Sequence, residues 1–130
     1  MAEGPRKSEQ EIILADGRYP LAAYAFLRDG MEQVGRNSPG ARRPGEGHHV
    51  TGQQCCIALR DLAIERWGRL ARTVLTRWNI HGTIDFGNMV YLLIKHEFMA
   101  KAPTDSLEDF REVYDFREAF AVAEAFRFTD

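Results

Sequence analysis

The stretch His48–Phe98 constrains the fold more than any other, because apolar residues recur through it at helical spacing over about three successive segments. It contains both tryptophans, both cysteines and all four histidines of the chain. Thr51 followed three residues later by Gln54 has the form of a capping box, so a helix is expected to start there. Within that helix Cys55, Cys56, Ile57, Leu59, Leu62, Ala63, Ile64 and Trp67 cover most of the circumference and leave Asp61 and Glu65 as a narrow polar strip. Such a pattern predicts a central helix touched from several sides. Gly68 allows a bend before a second helix with Leu70, Ala71, Val74, Leu75 and Trp78 on one arc and Arg69, Arg72 and Thr76 opposite. After a turn over Asn79–Gly82, a third helix is expected with Thr83 as its cap and Asp85 in its first turn. Its apolar face is Phe86, Met89, Val90, Leu93 and Ile94, and its other face is Gly87, Asn88, Tyr91 and Lys95.

The flanking segments are shorter and more broken. Residues 1–7 read as a loose polar tail. A short helix over Ser8–Ala15 is expected to stop at Asp16-Gly17, where glycine takes the left-handed cap. Pro20 opens another helix, whose stripe is Leu21, Tyr24, Leu27, Met31 and Val34. The segment 36–47, RNSPGARRPGEG, has two Pro-Gly pairs and no apolar residue larger than alanine, which predicts a mobile surface loop. Beyond the third core helix, Phe98–Ala102 and Val113–Phe116 are expected to be extended, and a last helix follows with Asp115 as cap and Glu118 at the capping-box position. The fold class is therefore mainly α, a compact helical domain of four to six helices. It is winged-helix-like in order, with a short β-hairpin after the third core helix.

At 130 residues the chain is expected to form one domain, and its 45% hydrophobic and 28% charged composition is that of an ordinary globular protein. The longest apolar runs fall below the ~20 residues that a spanning helix requires. The opening MAEGPRKSEQ has no apolar core of a secretory signal, so a cytoplasmic location is expected. The two cysteines are adjacent, a spacing that strains disulfide geometry, so both are expected to be reduced thiols.

A net charge of −2 gives no overall attraction to nucleic acid or acidic membrane, but the charge is unevenly distributed. Between Arg36 and Trp78 eight arginines stand against Glu46, Asp61 and Glu65, a balance of +5. Between Thr104 and Glu118 six carboxylates stand against Arg111 and Arg117, a balance of −4, so the two segments are candidates to face each other.

The stretches HVTGQ, LRDLAIERWGRLARTVLTRW, DFGNMVYLLI and DSLEDFREVYDFREAF resemble a family of small conserved hypothetical proteins of planctomycete and verrucomicrobial bacteria. The likeness runs from about Ile12 to Phe120 and includes Arg18-Tyr19 and the segment Ala23–Phe26. It implies kinship and no activity. Relatives carry glutamate and leucine after Thr-Gly-Gln where this chain has Gln54, Cys55 and Cys56, which speaks against thiol chemistry shared across that family.

No nucleophile is spaced from a partner base, and no glycine loop of phosphate-binding form is present, so catalysis is not expected. His48 and His49 stand near Cys55 and Cys56, but thiols next to each other on a helix diverge by about 100°, so no metal site is expected there. The helix start with His48, His49 and Thr51 is a candidate anion site. Asp105, Glu108, Asp109, Glu112 and Asp115 supply oxygen donors without the alternating pattern and central glycine of a calcium loop.

Arg66, Arg69 and Arg72, with Arg42 and Arg43 in the loop, form the candidate interaction surface. The expected role is a non-catalytic protein-interaction or regulatory module with a protein partner, no cofactor and no membrane association. The alternative is a winged-helix-like nucleic-acid binder. It is disfavoured by an acidic wing and by a reading face that offers only Asn88, Tyr91 and Lys95.

Overall fold

The computed structural model describes residues 7–37, 51–101 and 105–125. Its elements are helices α1 (Glu9–Asp16), α2 (Leu21–Asn37) and α3 (Gly52–Trp67), a 3-10 turn η1 (Gly68–Leu70), then α4 (Ala71–Arg77) and α5 (Thr83–Lys95). A second 3-10 turn, η2 (Leu107–Phe110), precedes α6 (Phe116–Ala125). The chain is thus mainly α, and no described residue is in a β-strand.

The sequence's start and stop signals act as the physics requires. Ser8 accepts from the Glu11 N–H at 3.1 Å and Glu11 accepts from the Ser8 N–H at 2.8 Å, a closed capping box. Gly17 ends α1 at φ 76°. Thr51 and Gln54 form the same reciprocal pair at the start of α3, at 3.1 and 3.0 Å. Asp115 accepts from the Glu118 N–H at 3.1 Å at the start of α6.

α3 is the central helix. Cys55, Cys56, Leu59, Leu62 and Ala63 are buried along it, and α2, α4, α6 and both 3-10 turns pack around it. Trp67 and Trp78 close one end of the core with Phe26, their ring centroids 5.1 to 5.8 Å apart. A second aromatic group, Phe86, Phe116, Phe120 and Tyr114, joins α5 to the C-terminal segment.

Several expectations require correction. The hairpin does not form. Phe98 and Met99 form a bend, Val113 and Tyr114 form another, and Phe116 already opens α6, while Ala102 lies outside the described residues. The cause is a buried side chain. Thr83, 2% exposed, donates from Oγ1 to the Phe110 carbonyl at 2.7 Å and accepts from the Val113 N–H at 3.1 Å. The Val113 N–H, which a second strand would have paired, is bound to that threonine, and Phe110 is buried in the core.

For the same reason Thr83 is not the cap of α5. Gly82 is, and the Asp85 carboxylate accepts from the N–H groups of His81 and Gly82 at 2.7 and 3.1 Å. The second core helix is split: Gly68 takes φ 51°, η1 follows, and α4 begins only at Ala71. Leu70 and Ile57, assigned to the core by periodicity, are 54% and 42% exposed. α2 runs on through Arg36 and Asn37, so the loop starts later than expected. The rest of that loop and residues 1–6 lie outside the described residues.

Candidate functional site

The candidate interaction surface begins where α3 ends. With φ 51° and ψ −124°, Gly68 occupies backbone space closed to other residues and turns the chain out of the helical phase. The next residue, Arg69, is exposed, and Leu70 follows it into solvent. Arg72, half-buried, stands in the first turn of α4. Among the described residues neither Arg69 nor Arg72 forms an ion pair. Arg66 differs: its guanidinium donates to Asp29 of α2 at 2.8 Å, both side chains remaining about half exposed. The arginine surface is therefore Arg69 and Arg72 around an exposed leucine, with Arg66 tied to its rim. Arg42 and Arg43 lie outside the described residues.

The other end of α3 carries the opposite charge. Gly52, its first residue, packs so closely on η2 that a Cβ there would come within 2.8 Å of the Asp109 Cβ and 3.1 Å of its backbone. Asp105, Glu108 and Asp109 cluster with η2, where Asp109 accepts from the Ser106 N–H at 3.1 Å and Glu108 pairs with Arg111. Sixteen helical residues at a 1.5 Å rise separate the two ends by about 24 Å. The basic and acidic segments meet along α3, as their balances of charge had made them candidates to do: η2 packs on its first turn, α6 packs on η1 and α4, and the Arg60 guanidinium lies 5.8 Å from the Tyr114 ring centroid. Within that contact the η2 carboxylates sit by the positive N-terminus of α3, and Arg66 and Arg69 by its negative C-terminus.

Beside η2 lies a cavity of about 150 Å³. Cys55, Val90, Ile94 and Met99 contribute apolar walls, and Asp105 and Asp109 line it as well. Tyr91 also lines it, and the phenol oxygen is buried with no hydrogen-bond partner. Burial, then the carboxylates of Asp105 and Asp109, push that phenol above its ordinary value.

The candidate anion site does not assemble from what is described. Thr51 spends its hydroxyl on the Gln54 N–H, the adjoining turn is covered by Asp109, and His48 and His49 lie outside the described residues. Cys55 and Cys56 are 1% and 0% exposed, and burial pushes the Cys55 thiol up to about 12 and the Cys56 thiol upward too. These are core thiols, not nucleophiles at neutral pH. Among the described residues no group of three or more His, Cys, Asp or Glu side chains stands in a metal-binding arrangement.

On the face of α5 that a winged helix would present to bases, Asn88 and Tyr91 are half-buried and engaged within the protein, and Lys95 is exposed. Asn88 donates to the Tyr19 hydroxyl at 3.2 Å, and that hydroxyl donates to Asp85 at 2.6 Å. Tyr91 packs edge-on to Phe110 with centroids 6.4 Å apart, and Gly87 lies under Phe110 and Leu107. Sequence reasoning missed this network because its partners are 66 to 69 residues apart along the chain. It also missed the Tyr91 cavity, which four separate segments build. None of the described helices is long and apolar enough to cross a membrane. No protein-family model matches the chain, and neither a curated protein nor a solved structure does.

Proposed function

We propose that the protein is a non-catalytic interaction or regulatory module that docks a protein partner on the arginine end of α3. One observation carries this reading: Arg69 and Arg72 flank a leucine 54% exposed, about 24 Å from the acidic turn that would otherwise neutralise them. Fixed charges of one sign around an apolar residue steer an acidic partner and then hold it by desolvation. Kinship with the small planctomycete and verrucomicrobial family is proposed alongside and adds no activity.

The test compares the tagged wild-type protein with the double variant Arg69→Glu/Arg72→Glu in pull-downs from the native host, read by mass spectrometry. A protein retained by the wild type and lost by the variant is the expected result. Identical recovery from both would remove the arginine end as a docking face. Fluorescence anisotropy with duplex and single-stranded probes at low salt separates the nucleic-acid reading. Binding that weakens steeply with salt and with the double variant would replace the proposal by that one.

A further inference from the structure

We infer that the partner of the arginine end is a second copy of this chain, with Leu70 of one copy entering the Tyr91 cavity of the next. The inference rests on reading the arginine end as a docking face, and it names the occupant from chemistry present on the same molecule.

The cavity, about 150 Å³, has the size that accepts a benzene-sized apolar group, and its walls of Cys55, Val90, Ile94 and Met99 suit an aliphatic side chain. It is lined by carboxylates as well. Asp105 and Asp109 favour an incoming donor with positive charge beside that apolar group. An apolar side chain with a guanidinium next to it meets both demands. Of Leu14, Leu21, Ile57 and Leu70, the described exposed large apolar residues, Ile57 has Arg60 one turn on but that guanidinium is paired with Asp61, whereas Leu70 adjoins Arg69, which has no ion pair among the described residues. A single copy cannot satisfy itself, because the two features sit at opposite ends of α3.

A contact between two different patches is head-to-tail, so each added copy leaves one free leucine and one free cavity. A contact this small belongs with weak, transient interfaces, and its ionic part is screened by salt.

Sedimentation velocity and light scattering test it on the full chain up to ~1 mM, a range that covers weak association. The wild type is expected to exceed monomer mass at ~0.01 M salt and to fall toward monomer at ~1 M, where the Debye length shrinks from ~30 to ~3 Å. Leu70→Asp removes the knob, and Ala100→Trp, at an exposed residue lining the cavity, blocks the hole. Each variant, checked for native circular dichroism, is expected to be monomeric alone. An equimolar mixture of the two is expected to form pairs and nothing larger, since one free knob meets one free hole.

A wild type monomeric throughout overturns the inference, as does association that survives either variant, or a mixture that fails to pair. If the wild type is monomeric but a pull-down partner is lost with Arg69→Glu/Arg72→Glu, the second copy is the wrong occupant and the docking face stands.

Discussion

Thr83 shows how much one side chain decides. Its hydroxyl binds the Phe110 carbonyl and the Val113 N–H, both far along the chain, and it is 2% exposed. Thr83→Val keeps the shape and strands both backbone groups, so a loss of about 2–3 kcal/mol in urea unfolding is expected, with Thr83→Ser recovering most of it. A stability unchanged in Thr83→Val would show that the C-terminal segment is held by packing alone. The buried thiols make a second prediction. Burial raises Cys55 from its ordinary 9.0 to about 12, and burial with the Asp85 hydrogen bond raises Tyr19 from 10.0 to about 12. Above the unfolded values the unfolded chain holds fewer protons than the native one, so stability is complete below pH 9 and declines between 9 and about 12. Urea midpoints across that range check the sign. A thiol reagent at neutral pH is expected to label the native protein only at the rate of opening, and fast labelling of both cysteines would contradict their burial.

At the scale of elements, the break between α3 and α4 matters most. Periodicity reads Leu70, Ala71, Val74 and Trp78 as one arc, and that holds only if the helix is continuous. Gly68 at φ 51° interrupts it, and the 3-10 turn that follows has 3.0 residues per turn, so Leu70 leaves the phase of its neighbours. A Cβ at Gly68 would meet nothing within 4 Å, so the cost of Gly68→Ala comes from backbone conformation alone. A loss of about 1–3 kcal/mol is expected by chemical denaturation. A neutral Gly68→Ala would mean that α3 runs straight into α4 at little cost. The caps at Thr51 and Asp115 were legible in the sequence because each is a contact within three residues. The wing was misread because apolar residues at Phe98, Val113 and Phe116 look alike whether they pair as strands or anchor singly onto helices.

Across the whole molecule, the central helix separates charge that the sequence only counted. The basic and acidic segments were visible as balances of +5 and −4, and nothing in the order of residues placed the η2 carboxylates and the Arg69–Arg72 pair at opposite ends of α3. An exposed leucine makes no core contact worth measuring, so Leu70→Ser is expected to leave unfolding free energy within about 0.5 kcal/mol while weakening partner capture. A large loss of stability in that variant would place Leu70 in the core and remove it from the docking face. The sequence by itself determined the helical class, the central position of α3, its caps and the burial of its cysteines, because periodicity and capping act within a few residues. Tertiary structure alone decided that Thr83 replaces a strand, that the Asn88 face of α5 is spent on Tyr19, and that a buried phenol lines a cavity beside carboxylates. Those depend on contacts between residues tens of positions apart, whose pairing only the folded chain selects.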